Sequence, residues 1–93
     1  MKQEQLWVIT YDSPSNKRRH KLAKTLEGYG QRLQRSVFEC RLPPHKVRQL
    51  RHCLATIATP EDSVRLWFVP QHASATEQLG HPVANIPWQD KVI

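Results

Sequence analysis

The chain is short of cysteine and of long apolar runs. Its 93 residues include two cysteines, Cys40 and Cys53, with no second cysteine pair and no histidine pair at ligand spacing, which excludes the common zinc-site patterns. The only N-terminal apolar run, which begins at Leu6, is much too short for a signal peptide or a membrane span. We therefore expect a cytoplasmic protein without membrane association, in which both thiols are reduced and buried in the core.

Apolar residues are also scarce, at 39% of the chain, and the mean hydropathy is −0.63. No internal repeat, low-complexity segment or marked shift in composition divides the sequence. These features predict one small domain, and a chain of this length buries only enough apolar surface for marginal stability. Because a symmetric partner would cover further apolar surface, we expect a homodimer.

Negative charge is sparse and unevenly placed: 8 acidic residues stand against 14 basic ones, for a formal net charge of +6. Residues 17–51 carry 11 of the basic residues and only two acidic ones, so this stretch is +9 and the rest is −3. Clustered lysine and arginine indicate a polyanion-binding surface, since neutralised phosphates release counterions. A merely solubilising surface is the alternative, but the clustering favours nucleic acid. The predicted nucleic-acid contacts are Lys17, Arg18, Lys24, Arg35, Arg48 and Arg51.

Hydrophobic periodicity predicts alternating strands and helices. A near-continuous run of β-forming residues over 6–11 predicts a central strand buried on both faces, and period-two alternation over 31–42 predicts one bent strand or two that meet near Ser36. Between them we expect a helix capped by Ser13 or Ser15 that ends at Gly28 and Gly30, where we expect left-handed backbone. A second helix follows Pro44, and further strands are predicted over 64–69 and 76–79.

This order of elements predicts an α+β ferredoxin-like sandwich. Its pattern is β-α-β-β-α-β plus a short C-terminal strand, with both helices packed on one face of an antiparallel sheet. Residues 1–80 form the predicted domain. Residues 81–93 contain two prolines and no periodicity, which predicts an extended tail.

Asp12 is the carboxylate best placed for chemistry, because it follows the central strand and precedes the basic helix. A structural role as a helix cap or in an Asx-turn is at least as well supported by its position. A single carboxylate is a poor Mg²⁺ site. If a twofold axis brings two copies of Asp12 together, the pair would hold one hydrated cation that activates water against a phosphodiester.

Other familiar sites are missing from the sequence. The five histidines match no catalytic or metal-binding spacing, and Ser36 lacks the Gly-x-Ser-x-Gly context of a hydrolase nucleophile. Gly28 and Gly30 end a helix, whereas a phosphate-binding loop opens one. No segment resembles the aromatic RNA-stacking octamer of RRM domains, so we place the aromatic residues in the core or in a dimer interface.

Five segments form a recognisable ordered set: VITYDSP (8–14), KRRHKLAK (17–24), LEGYG (26–30), RLQ (32–34) and SVFEC (36–40). Together they resemble the CRISPR-associated protein family Cas2, the small nuclease-like partner of the spacer-integration enzyme. The resemblance covers residues 6–80, most of the chain.

The resemblance implies a ferredoxin-like homodimer whose C-terminal strand pairs across the dimer, with the tail available to the CRISPR integrase. It implies that Asp12 of each protomer shares one Mg²⁺ or Mn²⁺ ion. Arg19, Lys21, Arg32 and Phe38 match positions associated with catalysis in the family. Many members have an aromatic residue where this chain has Arg35, a departure that adds positive charge.

Two functions from different classes follow from the resemblance. The first is a metal-dependent endonuclease that cleaves single-stranded RNA, or duplex DNA, and acts in spacer acquisition with the integrase. The alternative is a non-catalytic dimeric scaffold that binds duplex DNA and holds two copies of the integrase. A toxin-like RNA-cleaving dimer outside CRISPR systems is a third hypothesis. The basic set together with Asp12 favours the nuclease.

Overall fold

The computed structural model of the protein describes residues 3–70 and contains the predicted elements in the predicted order. The strands are β1 (Gln5–Asp12), β2 (Gln31–Gln34), β3 (Val37–Leu42) and β4 (Ser63–Val69), and the helices are α1 (Asn16–Glu27) and α2 (Pro44–Ile57). The alternation over 31–42 therefore forms two strands that meet at Ser36. The predicted strand at 76–79, the domain boundary at residue 80 and the extended tail lie outside the described residues.

The four strands form an antiparallel sheet in the order β2-β3-β1-β4, which confirms the ferredoxin-like sandwich and the central place of β1. Ile9 is opposite Phe38 on one side and Leu66 on the other. Because successive side chains of a strand point to opposite faces, these residues line the helix-covered face. Leu6, Val8, Thr10 and Asp12 share the other face, together with Val37 and Trp67. We call this the open face.

The expectation that β1 is buried on both faces is only partly correct. Ile9, on the helix-covered face, is completely buried, whereas on the open face Leu6 is buried but Val8 and Thr10 are only partly buried. The two helices cover one face alone, and Trp67 on the open face is 46% exposed. Within residues 3–70 no helix covers this face, which combines apolar side chains such as Trp67 with the charged side chains of Glu39, Arg41 and Arg65. Exposed apolar residues of this kind are typical of a surface that contacts another chain.

The core lies between the sheet and the two helices, and the apolar stripes of both helices fill it. α1 contributes Leu22, Ala23 and Leu26, and α2 contributes Val47, Leu50 and Leu54. Neither helix of the described part is long and apolar enough to cross a membrane.

Both cysteines are free thiols, as the sequence predicts, but only Cys40 is a core residue. Burial raises the pKa of the Cys40 thiol to about 11, so this thiol is neutral at pH 7. Cys53 is half-buried on α2, and its sulfur lies 4.0 Å from the Tyr29 hydroxyl.

The two glycines after α1 do not have the left-handed backbone that we expected of them. Gly28 caps the helix with φ −77° and ψ −11°, which is ordinary right-handed backbone, and Gly30 has no positive φ either. Glycine is required at position 30 because the backbone of β3 passes very close to its Cα atom. A Cβ atom at this position would overlap the backbone carbonyl of Glu39 and lie 2.5 Å from the Cys40 sulfur.

We expect Gly30→Ala to destabilise the protein and Gly28→Ala to leave it nearly unchanged. The added methyl group at residue 30 must displace β3 backbone, and overpacking of this kind costs about 1–3 kcal/mol. At residue 28 the nearest atom, the Thr25 carbonyl oxygen, is 3.4 Å away and the helical backbone suits alanine. Urea unfolding of the two variants measures the difference. Equal free energies of unfolding for the two variants would contradict the close contact between residue 30 and β3.

Candidate nuclease site and nucleic-acid interface

Asp12 is the last residue of β1, where it pairs with Ser63 on β4, and its side chain is exposed. Within residues 3–70, no hydrogen bond or ion pair engages the Asp12 carboxylate. The cap of α1 is Ser15, whose hydroxyl accepts from the Arg18 amide at 3.1 Å, and Ser13 accepts from the Ser15 amide. The structure thus assigns the capping and turn roles to serines and leaves the Asp12 carboxylate available to a ligand.

The residue before Asp12 lies on the opposite face of the sheet, in a cluster that the sequence reasoning missed. The Tyr11 hydroxyl donates to the Arg35 backbone carbonyl at 3.2 Å, and the ring stacks on Phe38 with 6.3 Å between centroids. Burial raises the pKa of the Tyr11 phenol, although the Arg32 charge opposes this shift. The phenol therefore stays protonated at neutral pH.

Arg32 lies at the solvent boundary of this cluster. Its guanidinium is 5.1 Å from the Phe38 ring centroid and 4.0 Å from a Glu27 carboxylate oxygen. Phe38 itself is completely buried in the core. The aromatic ring therefore supports the guanidinium from below, and a phosphate can reach the guanidinium but not the ring.

Arg19 connects α1 to the turn that follows Asp12. Its guanidinium donates to the backbone carbonyl of Ser13. This contact anchors one positive charge close in sequence to the Asp12 carboxylate. The structure thus brings Arg19 beside this turn and places Arg32 over Phe38, whereas Asp12 faces the opposite side of the sheet within one chain.

Arg18, a predicted phosphate contact, is engaged inside the protein. Its Nε atom donates to Asp62 Oδ2 at 2.8 Å and its Nη2 atom to Asp62 Oδ1 at 3.2 Å, and Nη2 also reaches Glu61 at 3.1 Å. The Asp62 side chain is completely buried and accepts from the Thr59 amide as well. This network ties α1 to the loop before β4, and Ser63, the residue after Asp62, pairs with Asp12. A phosphate contact by Arg18 stays a prediction.

We expect the Asp62 carboxylate to make folding stability sensitive to acid. The Arg18 hydrogen bonds, with help from Ser13, hold the pKa of Asp62 well below its usual range. A depressed carboxyl pKa stabilises the fold above the unfolded-state pKa of about 4, and this contribution is lost as the pH falls toward the folded-state value. The melting temperature of Asp62→Asn should therefore lie below that of the wild type at pH 7, by roughly 5 °C or more, and the gap should narrow below about pH 4.

Glu61→Gln is the matched control for this series. Glu61 contacts the same guanidinium, but its side chain is 72% exposed, and exposed ion pairs contribute little. Its melting temperature should follow that of the wild type from pH 7 to pH 3. If the difference in melting temperature between Asp62→Asn and the wild type did not change with pH, the negative charge of Asp62 would not be the cause.

The exposed lysines of α1 form a single ridge. Lys17, Lys21 and Lys24 recur at helical spacing on the face opposite Leu22 and Leu26, and all three are exposed. Arg48 and Arg51 lie one turn apart on α2 and are both exposed, and the Arg51 guanidinium is 5.7 Å from the Trp7 ring centroid. The basic residues thus form two ridges, one on each helix.

Residues 5–76 match a family model described as CRISPR associated protein Cas2. The chain belongs to the Cas2 family. A relative from Synechocystis sp., named CRISPR-associated endoribonuclease Cas2 3, is 48% identical over 84 residues, which cover 88% of this chain and 91% of the relative.

Solved Cas2 structures have the same fold. The crystal structure of Streptococcus pyogenes Cas2 at pH 6.5 is 33% identical with a TM-score of 0.70, and the match covers 81% of this chain and 99% of that one. A chain of a partial Cas6-RT-Cas1–Cas2 complex is 30% identical with a TM-score of 0.70, and the match covers 88% of this chain and 99% of that one.

Within this Cas2 fold, Tyr11 lies in the core, as the sequence predicts for its aromatic residues. Sequence reasoning missed its hydrogen bond to Arg35 and the ion pair between Asp62 and Arg18. These contacts join segments 24 and 44 positions apart in sequence, so no local motif reports them. The acidic pair Glu61 and Asp62 before an apolar strand is a weak signal for a long-range ion pair.

Proposed function

We propose that this chain is a metal-dependent endonuclease of the CRISPR system, that it acts as a homodimer, and that single-stranded RNA is its preferred substrate. The observation that carries the proposal is the exposed Asp12 carboxylate, which no described hydrogen bond or ion pair occupies, at the end of the open face. The basic ridges of α1 and α2 supply the charge that a phosphodiester substrate needs. The name of the Synechocystis relative supports RNA as the substrate.

A metal ion at this site needs a second copy of the chain. Residues 3–70 contain no group of three or more histidine, cysteine or acidic side chains that would hold a metal ion. One carboxylate fits Mg²⁺ or Mn²⁺ only as part of a shared site in which water fills the remaining positions. The open face supports such a pairing, because it is apolar at Val8 and Trp67 and has Asp12 at its end.

The side chains of this chain would bind and orient the substrate. Asp12 of each protomer would hold the ion, and the bound ion would supply Lewis-acid activation of water and of the phosphate. Arg19, held beside the turn after Asp12, would stabilise the charge that develops on the phosphate. Arg32 lies on the opposite face of the sheet from Asp12 within one chain, so it would contact a flanking phosphate of the same strand. Lys21, on the exposed ridge of α1, would hold a neighbouring phosphate.

The test is cleavage of labelled single-stranded RNA and of duplex DNA by the purified chain, with Mg²⁺ or Mn²⁺ and with EDTA. We expect the RNA to be cut in the presence of either metal ion and to stay intact in EDTA. Cleavage that persists in EDTA would contradict the metal site. Sedimentation of the same preparation should give the mass of a dimer.

A scaffold in spacer integration is the second candidate function. The similarity to a chain of a Cas1–Cas2 complex favours it, and the exposed basic ridges suit binding to duplex DNA without sequence preference. In this case neither substrate would be cut, and duplex DNA would bind with a steep dependence on salt concentration. In both functions we propose that the chain works in the cytoplasm with the CRISPR integrase, through the tail at 81–93.

A further inference from the structure

An aromatic and basic patch lies away from Asp12, toward the other end of β1. Trp7 on β1 and Phe68 on β4 are cross-strand neighbours, with 5.4 Å between ring centroids and an interplanar angle of 51°. The Arg51 guanidinium lies 5.7 Å from the Trp7 ring centroid. Trp7 precedes Asp12 by five residues, or ~17 Å of extended strand. We call these three side chains the Trp7–Phe68–Arg51 patch.

Phe68 is exposed although it points to the helix-covered face. Its side chain is 49% exposed, whereas its neighbours on that face, Ile9 and Phe38, are completely buried. The adjacent indole is fixed, because Trp7 Nε1 donates to the Gln5 side-chain oxygen at 3.1 Å and the ring packs against the core. The patch therefore presents an ordered aromatic surface to solvent.

Positive charge from α2 flanks this aromatic surface on one side. Arg51 contacts Trp7 directly, and Arg48 lies one helical turn before it and is exposed. α2 contains no acidic residue. An exposed aromatic ring beside arginines is the combination by which proteins bind unpaired bases, since the base stacks on the ring while the cations contact phosphates.

We propose that the Trp7–Phe68–Arg51 patch binds an unpaired base of a single-stranded nucleic acid. The base stacks on Phe68, and Arg51 and Arg48 contact the phosphates on either side of it. This inference rests on the proposed function and deepens it, because the patch selects single strands. In a duplex, both faces of each base are already stacked on neighbouring pairs and are closed to a protein ring.

The direct test compares two single-stranded RNA 12-mers, one ordinary and one in which abasic sites replace the central bases. Both carry the same phosphates, so their difference in affinity measures base contacts alone. Binding is measured in EDTA by fluorescence anisotropy, which keeps the RNA intact and makes the result independent of cleavage. We expect the wild type to bind the ordinary strand about five-fold or more tightly than the abasic strand.

Two substitutions of Phe68 test whether the difference in affinity between the ordinary and abasic strands comes from the patch. Phe68→Leu keeps an apolar side chain but loses the aromatic face, so it should bind the ordinary and abasic strands equally. Phe68→Tyr keeps the aromatic face and should retain the preference of the wild type. Neither substitution should change the affinity for duplex DNA by more than about two-fold, because the duplex offers no free base.

The outcomes separate the patch from the nucleic-acid binding on which it rests. Equal affinity of the wild type for both strands would overturn the patch, and this comparison needs no variant to fold. Failure of the wild type to bind any of the three nucleic acids would overturn the proposed function as well. A Phe68→Leu protein that keeps the preference for the ordinary strand would also overturn the patch, and would point to contact with another protein.

Discussion

We expect Asp12→Asn to lower metal-dependent RNA cleavage by at least about 100-fold, since the variant loses the charge that would hold the ion. The affinity for RNA in EDTA should change by less than about two-fold, because the basic ridges are untouched. The melting temperature of Asp12→Asn should equal that of the wild type, since the Asp12 side chain is exposed and engages none of the described hydrogen bonds or ion pairs. Cleavage time courses, anisotropy and thermal melts measure these three quantities on one preparation.

Glu4→Gln is the matched control for Asp12→Asn. Glu4 is an exposed carboxylate just before the other end of β1, so the control removes the same charge from the same strand region. It should cleave RNA like the wild type. Full activity in Asp12→Asn would refute the assignment, and a parallel loss in Glu4→Gln would show that the effect is one of net charge.

Phe38→Ala should abolish activity by unfolding the domain. Phe38 is completely buried at the centre of the sheet, between β1 and β2, and lies among the core residues that both helices cover. Truncation of a buried phenylalanine to alanine costs about 3–5 kcal/mol. In a domain of this size that loss lowers the melting temperature by roughly 15–30 °C. Thermal unfolding by circular dichroism measures the shift.

Arg32→Ala separates the role of the guanidinium from that of the ring beneath it. The Arg32 side chain is partly exposed and contacts Glu27 only at 4.0 Å, so its removal should shift the melting temperature by only a few degrees. We expect cleavage by this variant to fall while the protein stays folded. A stable and inactive Phe38→Ala protein would instead support direct participation of the ring in catalysis.

The elements of the fold could be predicted from the sequence because each has a strong local signal. The apolar run over 6–11 identifies β1, and the recurrence of Leu22 and Leu26 identifies α1. The glycines show where local signals fail. Gly30 lies at a helix end, which favours a left-handed residue, but its requirement comes from Glu39 and Cys40 on a neighbouring strand.

The candidate site was predictable only as a set of residues. Asp12 and the basic residues are visible in the sequence, because charge and position along the chain are local properties. The partners of those residues are not visible there. Arg18 contacts Asp62 because of where the loop before β4 packs, and Arg32 contacts Phe38 because of where β3 packs.

By itself, the sequence determined the family, the order of strands and helices, and the concentration of positive charge in residues 17–51. Tertiary structure alone decided which of these charges are free. It occupied Arg18 with a buried carboxylate and left Lys17, Lys21 and Lys24 in solvent. It also exposed Phe68 next to Trp7, the ring that Arg51 contacts. The physical reason is that hydrophobic periodicity is a property of the order of residues, so it can be read from the sequence. Ion pairs and the exposure of aromatic rings depend instead on distances between segments that only folding brings together.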